Sequence, residues 1–470
     1  MNNEDNMVDM IDREVVEEEA REEDSKTETV SSCILQDGTL VEMLYDKKEE
    51  KTMFAVFKDG ELKIRKTIKI GETSLKPHSP DKDLLKNDVI LFPSKPEEYA
   101  SQEELIEEIQ EFIHKYLSVS ESFEKIVSYY VLFSWVYDDF NELPYIRAIG
   151  DYGTGKSRFL KTVGSICYLP IITNGATSVS PIFRILNDFR GTLILDEADF
   201  RYSDMTSDMI KILNNGFAKG NPVLRSESNN NKSFDVKAFN VFGPKIIATR
   251  TNYKDEALES RMITEDMNLN TKREDIKTNI VDNFNKEALG IRNKLLMFRF
   301  KTKGKNILKS ELEDKGIEPR LNQIAIPLMS IIDNQNVIEE IKKYIREYNG
   351  KIKADRASDY NCQILEVLCD LQREGNNNPT MKEVSDIFNL KNELGEKERF
   401  TSRKIGYFVR KKLGLKTKEG RDGYRITDDS KEKIEILKKR YGIESVDVVD
   451  IADIEEEEEI KEINIQELLL

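Results

Sequence analysis

The chain has 470 residues, of which 39% are hydrophobic. This length exceeds what one hydrophobic core usually supports, so roughly two to four domains are expected. No stretch approaches the roughly 20 apolar residues of a membrane-spanning helix, and the acidic N-terminus lacks the basic and apolar segments of a secretory signal. Four scattered cysteines and only two histidines argue against a structural zinc site and against histidine-based catalysis, and they favour a reducing cytoplasm.

The net charge of −16 is concentrated at the two ends of the chain. Residues 1–28 carry 12 acidic and 3 basic side chains, and residues 444–470 carry 11 and 1. The ends are predicted to be solvated, disordered tails, with bounds at 1–30 and 442–470. Because the remaining chain is weakly basic, the overall acidity does not exclude a nucleic-acid partner.

Residues 31–95 are predicted to form a small β-rich domain. Apolar and polar residues alternate there around turns at Asp37-Gly38 and Asp59-Gly60. The apolar segments on both sides of the second turn are typical of a hairpin. Two amphipathic helices, over residues 101–116 and 122–138, are predicted to follow and to lead into the next domain.

Residues 150–157, GDYGTGKS, match the phosphate-binding pattern G-x-x-x-x-G-K-[ST]. A predicted strand at 144–149 enters this loop, and a predicted helix at 159–166 follows it with its N-terminus toward the phosphates. Lys156 can reach the β- and γ-phosphates, and the Ser157 hydroxyl can ligate Mg²⁺. The predicted phosphate-loop residues are Gly150, Gly153, Thr154, Gly155, Lys156 and Ser157.

A second apolar strand, at 192–195, ends in Asp196 and Glu197, the first of them 40 residues beyond Lys156. A buried strand needs no terminal acids for its stability, whereas a Mg²⁺–ATP site does. Asp196 is predicted to hold the metal ion through its water shell, and Glu197 to polarise the attacking water. Together with the phosphate loop, this pair predicts nucleotide hydrolysis with ATP and Mg²⁺ as the ligands.

Residues 244–252 predict another buried strand with a polar end, where a hydroxyl or amide could orient the attacking water. The sequence ALESR follows at 257–261. A polar strand end followed shortly by this sequence resembles the AAA+ ATPases, including clamp loaders and their relatives. It is also similar to the superfamily-3-like helicase ATPases of viruses, plasmids and other mobile elements. The resemblance covers residues 144 to about 330.

This resemblance implies roles for several polar residues. Arg261 would be an arginine finger that reaches the ATP site of the neighbouring subunit. Thr249 would contact the γ-phosphate or the water as a sensor, with Asn252 as the alternative. Arg320 would sense the nucleotide from a helical lid, with Arg292 as the alternative. A homo-oligomer, with a hexameric ring as its expected form, follows from the same resemblance.

Apolar–polar segments on both sides of an Asn-rich turn, within residues 222–242, predict a β-hairpin. In the helicases that the chain resembles, such a hairpin carries a basic residue that contacts DNA phosphates, which implies this role for Lys232. Lys219, Arg225 and Lys237 are the alternatives. A surface turn that binds nothing is the competing interpretation.

Residues 357–441 are predicted to form a winged helix. Two helices, at 360–372 and 381–388, precede a third that Thr401 caps, and a strand–turn–strand segment follows as the wing. A basic helix beside a basic wing suits duplex DNA, although a module that contacts protein is the alternative. The predicted DNA-binding residues of this module are Arg403, Lys404, Arg410, Lys411, Lys416, Lys418 and Arg421.

The predicted fold is therefore multidomain α/β. It comprises a P-loop AAA+-type ATPase core at 96–270 with a helical lid at 271–352, a small β-rich N-terminal domain and a C-terminal winged-helix domain. The predicted function is that of a DNA-dependent ATPase, an oligomeric helicase or translocase in the replication of a mobile element or virus. DNA and further copies of the chain are the predicted partners, and a membrane is not.

Three other functions are compatible with these motifs. The first is an ATP-switched DNA-binding initiator or regulatory ATPase that does not translocate. The second is a signalling switch that joins a P-loop domain to a winged helix and acts through assembly. The third is a small-molecule phosphotransferase, which the absence of an acceptor-site motif disfavours.

Overall fold

The computed structural model describes residues 26–196, 198, 204–228, 234–253, 255–269, 273–280, 282–357, 360–392, 399–441 and 443. The chain divides into two compact units, Met1–Ile345 and Arg346–Leu470. The β-rich, phosphate-loop and lid segments that the sequence distinguishes thus belong to one unit, and the segment predicted as a winged helix lies in the other. Most of both predicted acidic tails lies outside the described residues. No helix in these ranges is both long and apolar enough to cross a bilayer.

Seven short strands form the N-terminal region: β1 Lys26–Thr29, β2 Ser32–Ile34, β3 Leu40–Asp46, β4 Lys51–Lys58, β5 Glu61–Arg65, β6 Ile68–Ile70 and β7 Thr73–Lys76. Strands β2 to β5 make an antiparallel sheet in chain order, and β1, β7 and β6 make a second sheet in which β1 and β7 are parallel. The predicted hairpin is confirmed as β4–β5. Its turn residues Asp59 and Gly60 have φ of 50° and 86°, and positive φ at both positions is what a two-residue turn between twisted strands requires.

A parallel five-stranded sheet forms the core of the first unit. The strands that follow the N-terminal region are β8 Tyr145–Ile149, β9 Ile171–Thr173, β10 Leu193–Leu195, β11 Val223–Ser228, β12 Phe234–Phe239, β13 Lys245–Thr249 and β14 Met262–Asp266. The sheet order is β14-β8-β13-β10-β9, whereas β11 and β12 form the predicted antiparallel hairpin. The carboxyl ends of β8, β13 and β10 therefore meet at one edge, which is where open α/β sheets bind ligands.

Helices pack around this sheet and give the unit its mixed α/β character. They are α1 Asp83–Lys86, α2 Gln102–Tyr116, α3 Glu121–Val136, α4 Lys156–Gly164, α5 Val179–Phe189, α6 Asp204–Asn215, α7 Glu256–Glu259, α8 Phe284–Thr302 and α9 Pro319–Ser330. Helix α10, Gln335–Ala357, begins in this unit and ends in the second. The two predicted lead-in helices are confirmed as α2 and α3, and the hydroxyls of Ser101 and Ser120 cap their N-termini. Helix α3 is buried on most sides because ten of its sixteen residues are apolar or aromatic, and Glu124, Ser128 and Ser134 are buried with them.

Helix α4 fixes the position of the phosphate loop against the sheet. It begins at Lys156, three residues before the predicted start, because Gly155 adopts φ of 96° and ends the loop directly before it. At the other end of the helix, a Cβ on Gly164 would collide with the side chain of Ile194 in β10. The close approach of α4 to β10 therefore depends on glycine at this position.

A buried charge network joins the N-terminal sheet to the helices. Arg299 of α8 donates to Glu42 of β3 through Nε (2.6 Å) and to both carboxylate oxygens of Asp138 (2.9 and 3.1 Å). The Tyr168 hydroxyl donates to the second oxygen of Glu42 (2.8 Å). Because a buried ion that loses its partner is strongly destabilising, this network fixes the β-rich region to the rest of the first unit.

Beyond the end of α10, the described residues of the second unit form three helices, a two-stranded hairpin and a fourth helix: α11 Tyr360–Arg373, α12 Met381–Lys391, α13 Ser402–Tyr407, β15 Thr417–Gly420, β16 Gly423–Ile426 and α14 Lys431–Tyr441. The predicted Thr401 cap is confirmed, since its hydroxyl accepts from the Lys404 amide (3.2 Å). The third helix is not continuous as predicted. It passes into a π-helical turn, Phe408–Lys412, in which the Leu413 amide donates to the Phe408 carbonyl five residues back (2.9 Å).

Candidate functional site

The phosphate loop leaves β8 and is held by main-chain contacts on both sides. The Gly150 amide donates to the Thr249 carbonyl (3.2 Å), and the Asp151 amide donates to the Asn268 side chain (2.9 Å). Gly153 has φ of 78°, a conformation that favours glycine. The chain then enters the nine-residue helix α4, so its unpaired N-terminal amides face the loop.

The ammonium group of Lys156 lies inside this loop. Its Nζ donates to the carbonyl oxygens of Gly150 and Asp151, at 2.6 Å each. These are carbonyls at the start of the loop that Lys156 itself ends. The lysine therefore stands where the pattern requires it, over the concavity that would receive phosphate oxygens.

A cavity of about 300 Å³ opens beside the loop at the carboxyl edge of the sheet. Residues 152–158, Asp196, Ala248 and Arg250 line it. The structure thus brings Asp196 together with Lys156 and Ser157, as predicted from motifs that lie apart in the sequence. A hydroxyl and a carboxylate are hard oxygen ligands, so Ser157 and Asp196 fit Mg²⁺. Glu197, the predicted base, lies outside the described residues.

Thr249, the predicted sensor, ends the central strand β13. It is 1% exposed, and its hydroxyl oxygen has no hydrogen-bond partner among the residues that the structure describes. An unsatisfied buried hydroxyl costs about 1–3 kcal/mol. The orphaned hydroxyl lies at the strand end next to the phosphate loop, which fits a site that a polar ligand completes.

Asn252, the alternative sensor, has a different partner from the one predicted. Its amide oxygen accepts from Arg147 (3.0 Å), a residue of β8 that is 2% exposed. Arg147 also donates to both carboxylate oxygens of Glu259 (2.5 and 2.7 Å). Asn252 is not among the residues that line the phosphate cavity, and its side chain connects the loop after β13 to Arg147 of β8.

Arg261 and Arg320 lie near the opposite, amino edge of the sheet. The Arg261 carbonyl accepts from the amide of Tyr145, the first residue of β8, whereas the phosphate loop leaves the last. Both guanidinium carbons lie over the ring of Phe217, at 4.3 Å for Arg261 and 5.3 Å for Arg320. The Nη1 of Arg320 donates to the side chain of Gln323 (2.7 Å). The role of Arg320 as a nucleotide sensor in a helical lid stays a prediction.

The predicted arginine finger is buried within its own chain. Arg261 is 7% exposed, and its Nη1 donates to the Asn214 side chain (2.5 Å) and to the Ala257 carbonyl. A finger that acts in a neighbouring subunit needs an exposed guanidinium, so in this conformation Arg261 is not presented. Arg292, the alternative for Arg320, donates to the Ser165 carbonyl at the end of α4 (2.6 Å), away from the phosphates.

The β11–β12 hairpin holds one of its basic residues in an ion pair. Arg225 pairs with Asp208 of α6 (2.7 Å) and lies over Phe183, so it stabilises the hairpin base. Lys219 donates to the Asp138 carbonyl (2.8 Å), and Lys237 is exposed. Lys232, the predicted DNA contact, lies outside the described residues.

The basic residues of the second unit form an exposed surface. Arg410 in the π-helical turn lies over the ring of Tyr424 in β16, with 5.0 Å between the guanidinium carbon and the ring centre. The third helix and the hairpin are therefore in contact through these two side chains. Every predicted DNA-binding residue of this unit is exposed: Arg403, Lys404, Arg410, Lys411, Lys416, Lys418 and Arg421.

Four residues that line the phosphate cavity were not predicted from the sequence, Tyr152, Arg158, Ala248 and Arg250, and two of them are in contact. Arg250 follows Thr249 at the end of β13, and Tyr152 occupies a variable position of the loop pattern. The guanidinium carbon of Arg250 lies 3.9 Å from the centre of the Tyr152 ring. Only the parallel pairing of β8 with β13, which the sequence does not specify, brings them together.

No protein-family profile matches the chain, and no curated protein matches it in sequence. Among solved structures it is similar to the C-terminal region of NrS-1 in an apo form, with 11% identity over 82% of this chain and 96% of that one and a TM-score of 0.35. It is also similar to SCCmec type IV Cch, described as an active helicase, with 12% identity over 87% and 81% and a TM-score of 0.40. Drosophila ORC bound to DNA matches with 12% identity over 74% and 96% and a TM-score of 0.17. These likenesses are too distant to assign a family.

Proposed function

We propose that the chain is a DNA-dependent ATPase of AAA+ type that acts as an oligomeric helicase or translocase in the replication of a mobile element or virus. One observation carries the ATPase part. Lys156, Ser157 and Asp196 line a single cavity at the carboxyl edge of a parallel sheet, although they come from two separate motifs.

The residues of this cavity have distinct tasks in hydrolysis. The loop amides and Lys156 bind the β- and γ-phosphates, and Ser157 and Asp196 hold Mg²⁺, which neutralises phosphate charge when bound. Glu197 accepts a proton from water as the water oxygen bonds to the γ-phosphorus. The bond to the bridging oxygen breaks at the same time, and its electron pair leaves with ADP. The Thr249 hydroxyl orients the water.

The DNA part of the proposal rests on the second unit. Three helices followed by an antiparallel hairpin, with exposed basic residues on the third helix and the hairpin, suit a winged helix that lays its third helix in a groove of duplex DNA. The hairpin of the first unit would contact the DNA backbone through Lys232. ATP hydrolysis at the interfaces of a ring, hexameric in its expected form, would move these elements along the phosphates.

Steady-state ATP hydrolysis with and without single- and double-stranded DNA tests this function. The wild-type chain should hydrolyse ATP, and DNA should raise the rate. Lys156→Ala should abolish hydrolysis because it removes the phosphate ligand, whereas Lys161→Ala, an exposed lysine of the same helix, should retain it. Normal ATP turnover by Lys156→Ala would contradict the assignment of the site. A wild-type hydrolysis rate that DNA does not change would contradict the helicase or translocase function.

One observation favours the alternative of an ATP-switched initiator or regulatory ATPase that does not translocate. The Arg261 guanidinium is buried in its own chain, so no finger is presented to a neighbour. Such a switch would hydrolyse ATP slowly and would remain assembled on DNA in the ATP-bound state. A hydrolysis rate that neither DNA nor Arg261→Gln changes would select this function over the motor.

A further inference from the structure

Arg250 lies at the phosphate cavity although no recognised motif includes it. It follows β13, whose two sheet neighbours, β8 and β10, end in the phosphate loop and in Asp196. Its side chain lines the same cavity as Lys156 and Asp196. The sheet therefore holds residue 250 beside both the phosphate-binding lysine and the acid assigned to Mg²⁺.

The side chains that line this cavity are cationic in sum, since Lys156, Arg158 and Arg250 face one carboxylate, Asp196. The guanidinium of Arg158 has other partners, since its two terminal nitrogens donate to the main-chain carbonyls of Lys277 (2.7 Å) and Thr278 (2.5 Å). Arg250 is a second guanidinium at the cavity, and it comes from the strand end between the phosphate loop and Asp196.

Tyr152 keeps this guanidinium over the loop. The ring of Tyr152 is 78% exposed, and the Arg250 guanidinium carbon lies 3.9 Å from its centre. Stacking of an arginine on an exposed ring is weak. A phosphoryl group offers two parallel charge-assisted hydrogen bonds to a guanidinium, which are stronger. The ring therefore holds the Arg250 guanidinium beside the phosphate loop.

We propose that Arg250 is a further catalytic residue of this site, whose guanidinium donates hydrogen bonds within its own subunit to the phosphoryl group that is transferred to water. The proposal rests on the ATP hydrolysis proposed above. Arg250 keeps its protons throughout, and the water proton goes to Glu197. Because negative charge spreads over the phosphoryl oxygens in the transition state, a guanidinium there raises kcat more than it raises the affinity for ADP.

The test compares Arg250→Gln and Arg250→Lys with the wild-type chain. Arg250→Gln should lower kcat by about 100-fold or more, as the loss of one transition-state donor does. Its affinity for ADP should stay within about threefold of wild type, and its affinity for ADP with aluminium fluoride should fall with kcat. Arg250→Lys, which retains the charge, should recover part of the rate.

Arg184→Gln is the matched control, because Arg184 also lies over an aromatic ring, Phe183, but on the exposed side of α5. It should leave kcat unchanged. Tyr152→Ala should lower kcat by about two- to fivefold, the value of an exposed cation–π contact, and Tyr152→Phe should not.

A kcat of Arg250→Gln within about threefold of wild type, in a chain that Lys156→Ala inactivates, would overturn this inference and leave the ATPase assignment intact. A loss of ADP affinity with unchanged kcat would make Arg250 a binding residue, which also overturns it. A wild-type chain without ATP hydrolysis would overturn both proposals. If Arg250→Gln fails to fold, the aluminium fluoride affinity of Arg250→Lys decides the question.

Discussion

Lys245, at the start of β13, is an ammonium group buried without a carboxylate partner in the described part of the chain. It is 0% exposed, and its Nζ donates to the carbonyls of Gly216 (3.2 Å), Val241 (3.0 Å) and Gly243 (2.9 Å). It therefore ties the turn after α6 to the segment that enters β13. Burial lowers the pKa of Lys245 from its ordinary value of 10.5 to about 7.

This shift predicts that the first unit becomes more stable as the pH rises from 7 to 9. Between the folded pKa of about 7 and the unfolded value of 10.5, the unfolded chain binds a proton that the folded chain does not. The free energy of unfolding then rises with pH, by at most about 1.4 kcal/mol per pH unit from this group. Chemical denaturation at pH 7, 8 and 9 measures the slope.

The matched variant is Lys245→Met, which keeps the length and removes the titration. It should unfold more easily at every pH, because three carbonyls lose their donor, and its unfolding free energy should rise less steeply with pH. Equal slopes in the two proteins would show that Lys245 stays protonated in the fold.

The positions of single residues could be predicted only where a local pattern defines the geometry. Lys156 and Ser157 follow from the loop sequence, and Asp196 follows because a parallel strand delivers its last residue to the same edge. Arg261 and Arg320 belong to no such pattern. Their contacts depend on Phe217, which lies far from both in the sequence, so their placement near the amino edge could not be derived.

At the scale of the element, the strands and most helix starts could be predicted from the sequence. The signals were the alternation of apolar and polar residues, the turn residues, and the hydroxyl side chains that cap helices. The break in the third helix of the second unit could not, because Phe408 to Lys412 read as ordinary helix formers. The π-helical turn places Arg410 over Tyr424 of the hairpin. This contact connects the third helix, which we propose lies in a DNA groove, with the hairpin, which we propose contacts the DNA backbone.

Replacement of Lys404, Arg410 and Lys411 together by alanine should weaken DNA binding and flatten its salt dependence. Each lost phosphate contact reduces the slope of log K against log salt by about 0.9, so the slope should fall by roughly two to three. Fluorescence anisotropy of a labelled duplex at several salt concentrations gives both values.

The control for this variant removes three lysines of the same unit whose ammonium groups already lie beside carboxylates: Lys391, Lys431 and Lys438. Since their charge is locally compensated, the slope should change little. A slope that is the same in wild type and in the Lys404, Arg410 and Lys411 variant would place the DNA contact outside this basic surface.

At the scale of the whole molecule, the nucleotide cavity and Arg261 lie at opposite edges of one sheet. If Arg261 is the arginine finger that we propose, this position would direct it to the site of another copy. The closed rings that cyclic homo-oligomers form place such opposite faces in contact. The position of Arg261 thus suits action in a neighbour, and its burial requires that assembly or nucleotide binding turn it outward.

Mixing two inactive variants tests this arrangement. Arg261→Gln has an intact phosphate loop, and Lys156→Ala has an intact finger, so neither should hydrolyse ATP alone. In a random ring of equal parts, about a quarter of the interfaces join an intact loop to an intact finger, and about a quarter of the activity should return. A mixture as inactive as its components would exclude a finger in trans.

The pairing of Glu42 with Arg299 has a consequence for the order in which the chain matures on the ribosome. The two residues are 257 positions apart, and synthesis proceeds at about 5–20 residues per second. Strand β3 therefore emerges on the order of ten seconds or more before the guanidinium that neutralises its buried carboxylate. During that interval the Glu42 carboxylate must stay hydrated. The β2–β5 sheet is therefore translated early but is among the last parts of its unit to become fully packed.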